Sequence, residues 1–223
     1  MKFHLFFSLL PLASPVWAAA IPSGCPLDPQ SKEYCQGTKN DASLKGTYLC
    51  GDKLLGPLDF RTNTTLGTML DNYKPFGALC PGDFLKKYKV SGQDRFSYPP
   101  QDGFQLAKVG NDAVPIFNKN ITLNINFMLD RFGGEGGKFL SDYQTPYEKR
   151  ALPPGNLEER PGQPGTLSRR NNYYVYRVVK AFTVLSGPIA PWLEQPGMGI
   201  QYLLDRNVSS YVLEGYLERV PAK

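Results

Sequence analysis

Two stretches of this chain hold side chains whose types and spacing suggest chemistry. Residues 130–141 read Asp130-Arg131-Phe132-Gly133-Gly134-Glu135-Gly136-Gly137-Lys138-Phe139-Leu140-Ser141. Glycines let backbone N–H groups approach an anion, and Arg131 adds a guanidinium beside them. The plain alternative is a tight turn with a surface arginine. It is not a Walker A loop, because Phe139 follows Lys138 where that motif needs Ser or Thr. No βαβ frame surrounds it, so it is not a dinucleotide fingerprint either. The second stretch runs from Pro191-Trp192 through Gln195-Pro196-Gly197 to Gln201. A Trp in such a Pro/Gly loop packs a core edge or stacks a ligand. A Gln leaving it is a solvated amide unless a ligand claims it. Together these features suggest an anionic ligand with an aromatic partner and no metal, but they name no reaction.

What is missing narrows the field. The 223 residues are 41% apolar and 20% charged, a globular composition long enough for a real core. The sequence has one histidine, His4. It lies in residues 1–20, where a lysine, a short apolar run and small residues at Ala18-Ala19-Ala20 read as a secretory signal peptide. A membrane anchor fits less well, since Pro11 and Pro15 break the run, and no later run is long enough to span a bilayer. With the leader removed, the net charge falls from +5 to +4, because Lys2 leaves and no acid does. The mature chain then has no histidine. That excludes Ser-His-Asp triads, Cys-His pairs, His-built zinc sites and histidine-dependent nucleases. The remaining charge is dispersed and forms no nucleic-acid stripe; Arg169-Arg170 reads as a solvated loop.

Cys25, Cys35, Cys50 and Cys80 make an even set, which in a secreted chain implies disulfides. Three pairings are open. Intervening spacings of 9, 14 and 29 residues lack a zinc knuckle, and no histidine could activate a thiol. Sequons at Asn63, Asn120 and Asn207 predict a glycosylated extracellular protein.

These groups need a scaffold. Residues 21–62 read as loop. Leu66, Met69, Leu70 and Tyr73 have the spacing of a short amphipathic helix ended by Pro75, and residues 83–88 suggest another helical turn. Phe96 to Phe104 is a turn cluster with aromatic flanks. Residues 121–129 suit a strand or a short helix. Residues 173–184 predict one strand, with nine of twelve residues β-branched or aromatic. Residues 153–172 and 187–199 read as loops, 201–204 as a strand, and 211–220 as strands or a helix–strand pair. The predicted class is α+β: signal peptide 1–20, a disulfide-bonded, partly helical region 21–90, and a mainly β domain 91–223.

The ordered motifs are more specific than any one piece. They run Tyr98-Pro99-Pro100-x-Asp102-Gly103-Phe104, Asp130-Arg131-Phe132-Gly133, Gly137-x-Phe139-Leu140-Ser141 and Thr145-Pro146-Tyr147-x-x-Arg150-x-Leu152-Pro153-Pro154. Tyr176-Arg177-Val178, Ala190-Pro191-Trp192, Gln195-Pro196-Gly197-x-Gly199-x-Gln201-Tyr202 and Gly215-Tyr216-Leu217 follow. Over residues 96–220 this set resembles the tuberculosis necrotizing toxin domain family of NAD⁺ glycohydrolases, and most of all its secreted fungal surface members.

The resemblance implies a compact β domain with a curved sheet and a cleft. It implies cleavage of the nicotinamide–ribose bond of NAD⁺, and of NADP⁺, at the cell surface. It places catalysis at Arg131 and Gln201 and matches Phe139 and Arg150 to its aromatic and second arginine; the chemistry then assigns Arg131 and Arg150 to the diphosphate, and Phe132, Phe139 and Trp192 to the walls around nicotinamide and ribose. NAD⁺ is then the substrate, and no cofactor is expected. Glu135 and Glu194 are the glutamates near these motifs. The alternatives are an ADP-ribosyltransferase and a non-catalytic nucleotide-binding surface protein. Scattered carboxylates leave structural calcium open but form no EF-hand loop. A homodimer is likewise open.

Overall fold

The computed structural model describes residues 25–29, 31–58, 66–109, 111–115, 117–158 and 172–221. The predicted leader, the Asn63 sequon and the Arg169-Arg170 pair lie outside them. The disulfides pair Cys25 with Cys80 and Cys35 with Cys50, closing loops of 55 and 15 residues. Chain-entropy arguments value such loops at about 4 and about 3 kcal/mol.

Helix α1, Pro81–Tyr88, starts with proline at its first turn and extends the helical turn expected over 83–88. The Leu66/Met69/Leu70/Tyr73 face is buried as its spacing predicts, but on a 3₁₀ turn, Gly67–Leu70, rather than an α-helix. Strands β1 (Leu106–Val109) and β2 (Asp112–Pro115) form a separate antiparallel pair. The main sheet contains β3 (Lys119–Leu123), β4 (Met128–Phe132), β5 (Phe139–Asp142), β6 (Tyr173–Val178), β7 (Phe182–Pro188), β8 (Ile200–Leu203) and β9 (Leu217–Val220). Its order is β3-β7-β8-β5-β4-β6-β9, antiparallel throughout. Helix α2, Val208–Leu213, precedes β9. Its first turn is capped by Asn207, whose Oδ1 accepts from Ser210 N at 2.9 Å.

Two ambiguities resolve here. Residues 121–129 belong to two strands, turned at Asn126 with φ +71°. The single strand expected over 173–184 is two, β6 and β7. Val179 N and Lys180 N both donate to Tyr216 C=O at the break. Lys180 and Ala181, two of the three residues of 173–184 that do not favour strand, lie in the break, but the β-favourable residues on both sides mask that short dip.

The break also bends the sheet. β6 and β7 are four places apart, roughly 19 Å in a flat sheet. The link from Val178 to Phe182 reaches at most about 14 Å. The sheet must therefore curl to bring them together.

One apolar face packs around Leu129, Tyr176, Val184 and Tyr202 under α2. On the other side, Leu66, Met69, Leu70 and Tyr73 join Phe132, Tyr147, Leu157, Tyr173 and Val175. A third cluster joins Phe84, Leu85, Tyr88 and Phe96 to Leu193. Two of the three cores thus cross residue 91. Burying each such large side chain contributes about 1.5–3 kcal/mol, so the N-terminal region braces the sheet directly.

Candidate active site

Paired residues of an antiparallel sheet share a face. Asp130 pairs with Ser141, Ser141 with Gln201, and Gln201 with Gly187, a row across β4, β5, β8 and β7. A cleft lies over this row, lined by Asp130, Arg131, Phe132, Phe139, Ser141, Arg150, Leu152, Ile189 and Gln201. Its enclosed part is about 50 Å³. A larger concavity of about 740 Å³ lies between the first disulfide-bonded turns and α1, lined in part by Lys39, Asp52 and Lys86. It holds neither Arg131 nor Gln201, so size does not mark the chemistry here.

Gln201 is buried, and its Nε2 donates to Asp102 C=O at 3.0 Å. A carbonyl only accepts, so this bond fixes the amide and leaves Oε1 as the acceptor end. Asp102 reaches it on a tight turn, Gln101–Gly103, with Gln101 and Asp102 both at positive φ. Gly187 makes the approach possible. A Cβ there would stand 2.9 Å from the buried Phe104 ring and 2.2 Å from Asn118 Oδ1.

Arg131 is held by the glycine hairpin between β4 and β5. Its Nε donates to Gly134 C=O at 2.9 Å and its Nη1 to Phe139 C=O at 2.7 Å. The loop therefore grips the arginine through carbonyls, where the sequence suggested N–H groups gripping an anion. Nη2 lies 1.9 Å from where a Gly137 Cβ would be, so the guanidinium occupies the place of the missing side chain. The Asn156 amide also converges here: it and Nη2 lie 3.7 and 3.4 Å from the Gly133 Cβ position. Burial pulls the Arg131 pKa down, opposed by Tyr176 and Glu135, but an arginine stays charged.

Arg150 is committed inside the protein. It donates to both Asp130 oxygens, at 2.5 and 2.8 Å, and through Nε to Thr145 C=O at 2.8 Å. The two side chains are 2% and 0% exposed. Asp130 also accepts from Tyr173 OH and Gln144 N, each at 2.8 Å. Burial pushes its carboxyl up, and Arg150 opposes that most. Phe132 lies beneath, with the guanidinium 5.1 Å from its ring centre and Tyr147 and Tyr173 against its other sides.

Trp192 is not brought to the cleft. Its indole donates to Ser97 C=O at 2.9 Å and packs edge-on against Tyr88. The plain expectation for a Trp in that loop, a core edge, describes its place. Neither glutamate lines the cleft. Glu135 is bound by Arg219 and Tyr176. Glu194 accepts from Lys87 and Tyr88; burial raises its carboxyl, but those donors outweigh it and hold it below its usual range. Asp130, Ser141, Leu152 and Ile189 are the lining residues to which the sequence gave no role. Asp130 stood inside a motif read for its arginine, and its role shows only through Arg150, a partner twenty residues away.

Residues 122–220 match the family model described as tuberculosis necrotizing toxin. Over 176 residues the chain is 44% identical to the conidial surface nicotinamide adenine dinucleotide glycohydrolase nadA of Aspergillus fumigatus, covering 78% of this chain and 71% of that protein. The chain belongs to the tuberculosis necrotizing toxin family. Its fold is also similar to the tuberculosis necrotizing toxin solved with its immunity factor. That match has a TM-score of 0.51 at 22% identity, over 71% of this chain and 83% of the toxin. Among the described residues, no group of three or more His, Cys, Asp or Glu could hold a metal ion, and no helix is long and apolar enough to cross a membrane.

Proposed function

We propose that this protein is an extracellular NAD⁺ glycohydrolase, acting also on NADP⁺, that releases nicotinamide and ADP-ribose. The observation that carries this reading is the cleft shared by Arg131, Phe139 and Gln201, in a chain 44% identical to a curated NAD⁺ glycohydrolase.

The chemistry suits these groups. Nicotinamide is cationic in NAD⁺ and leaves neutral, so no strong general acid is needed. Bond cleavage develops positive charge on the ribose, as in glycoside hydrolysis. The protein must hold the diphosphate, position the ribose and admit water on the opened face. Arg131 and the Asn156 amide converge where a phosphate oxygen would be held. Gln201 Oε1 accepts from a ribose hydroxyl or the attacking water, in an orientation fixed by Asp102 C=O. Phe139 walls the reacting ring. Arg150, whose donors are taken by Asp130 and Thr145, positions β4 beside Arg131 instead of binding phosphate itself. Phe132 supports it, and Trp192 braces the outer turn. The two disulfides and the sequons at Asn63, Asn120 and Asn207 support an extracellular, cell-surface place.

The test is chromatography of NAD⁺ incubated with the purified, oxidised protein, beside Gln201→Ala. Nicotinamide and ADP-ribose should appear with wild type and fall at least about 100-fold in the variant. Intact NAD⁺ from folded wild type would overturn the reading. Label transferred to a protein in place of free ADP-ribose would turn it to a transferase.

A further inference from the structure

Residues 133–138 link β4 to β5, and four of the six are glycine. Glycine keeps the widest backbone freedom, so such a run does not hold a shape by itself. Yet Arg131 depends on that shape, because Gly134 C=O and Phe139 C=O grip its guanidinium. Bonds from outside the hairpin must therefore fix it.

They come in two sets. Backbone donors that follow β8 lace the hairpin: Leu204 N to Lys138 C=O and Val208 N to Gly137 C=O, each at 2.9 Å, and Ser209 N to Glu135 C=O at 3.0 Å. The second set is made by the Glu135 side chain. Its Oε1 accepts from Tyr176 OH at 2.8 Å and from Arg219 Nε at 2.7 Å, and its Oε2 accepts from Arg219 Nη2 at 2.6 Å. Tyr176 and Arg219 stand opposite each other on β6 and β9, so one face of that strand pair presents all three donors. Tyr176 is fully buried in the core and acts as a fixed post. The bidentate arginine sets direction as well as distance.

A folding role alone explains this carboxylate poorly. β6 and β9 are already paired from Val175 to Val178 and carry their own ion pair, Arg177 with Glu218. What Glu135 adds is a tie from those strands to the hairpin, one residue from the carbonyl that holds Arg131 Nε. We infer that Glu135 is a positioning residue for the NAD⁺ reaction, anchoring the glycine hairpin to β6 and β9 so that Arg131 stays aimed at the cleft. The inference rests on the NAD⁺ reading above. Glu135 does not line the cleft, so it acts through Arg131 and not on the substrate.

The experiment measures kcat/KM for NAD⁺, and inhibition by ADP-ribose and by nicotinamide, below the melting range of every variant. Glu135→Ala should lower kcat/KM by about tenfold, and Arg219→Met by about threefold or more. Both should weaken inhibition by ADP-ribose, which carries the diphosphate, and leave nicotinamide inhibition unchanged. Glu135→Gln keeps an Oε1 for Tyr176 and Arg219 Nε and should stay within about threefold of wild type. Glu218→Ala breaks the other ion pair of the same two strands and should change activity by less than about twofold. Gly137→Ala crowds the same guanidinium, so adding Glu135→Ala to it should cost less than about a further threefold. If Glu135→Ala does not fold, the half-exposed Arg219→Met carries the comparison. Wild-type activity in Arg219→Met overturns the inference, and so do equal losses in Glu218→Ala or losses that multiply with Gly137→Ala. Glu135→Gln as impaired as Glu135→Ala also overturns it, because a reacting carboxylate would behave that way. Folded wild type that leaves NAD⁺ intact overturns the NAD⁺ reading and this inference together.

Discussion

Replacing Gly137 by alanine should disarm Arg131 while leaving the fold nearly intact. The added Cβ would stand 1.9 Å from Nη2, 2.5 Å from Cζ and 3.0 Å from Nη1 of Arg131. Ordinary contact begins near 3.4 Å, so the guanidinium must retreat by about 1.5 Å. Its bonds to Phe139 C=O at 2.7 Å and Gly134 C=O at 2.9 Å cannot both survive that shift. A catalytic group misplaced by about 1 Å can cost about 100-fold in rate, or about 2.7 kcal/mol of transition-state stabilisation. The stability cost is smaller, because the displaced atoms end a flexible side chain at a solvent-reachable mouth, where water replaces the lost bonds. A loss of about 1 kcal/mol corresponds to a Tm drop of about 2–4 °C in a protein of this size. Gly136→Ala is the control, since nothing lies within 4 Å of its Cβ position. The assay is kcat/KM for NAD⁺ with thermal melts of all three proteins. We expect about a 100-fold loss in Gly137→Ala and less than about threefold in Gly136→Ala. Near-normal turnover in Gly137→Ala, or equal losses in both, would refute the placement of Arg131 in the chemistry.

Two further outcomes follow from the buried polar groups. Asp130→Asn and Arg150→Met should each destabilise by about 3–5 kcal/mol in urea unfolding, because each strands a buried partner. The double variant should lose at least about 1 kcal/mol less than the sum, and strict additivity would show that the pair is not coupled. Alkaline pH should unfold the protein steeply. Burial pushes the phenols of Tyr73, Tyr147, Tyr173 and Tyr176 up, and Tyr211 is pushed up to about 12. Above pH about 10 the unfolded chain releases these protons while the folded chain keeps them, so stability is full below that pH and falls as pH rises. Each such tyrosine removes about 1.4 kcal/mol per pH unit. Tyrosinate absorbance should therefore appear with loss of tertiary signal, and tyrosines ionising near pH 10 in a still-folded protein would contradict their burial.

The sequence was most legible where one local pattern decides a structure. The spacing of Leu66, Met69, Leu70 and Tyr73 marked a buried face correctly, although Gly67 and Thr68 turned it as a 3₁₀ segment. The pattern of predicted elements pointed to the α+β class, and the ordered motifs, read as a resemblance, to the family. Residues whose place depends on distant partners were not legible. Nothing around Arg150 announces that Asp130 takes its guanidinium, and nothing in the Pro/Gly loop says on which side Trp192 lies until Ser97 accepts from it. The break between β6 and β7 was hidden for a related reason. Residues 173–184 favour strand on both sides of a short Lys180-Ala181 dip, and Tyr216, from far along the chain, supplies the carbonyl at the turn. The cysteine pairing, too, needed the fold.

The bond from Gln201 to Asp102 spans 99 residues of sequence and gives the protein a schedule. A growing chain emerges from the ribosome with the rim turn first and the amide that it must orient almost last. Until the C-terminal strands are released and curl back, no cleft exists. The first third, which packs against the sheet, gains its own two cross-links only where thiols can be oxidised. A catalyst whose substrate fills the cell that makes it is thus assembled late, from the middle and the last part of its own sequence, and gains its full support only after leaving the reducing interior.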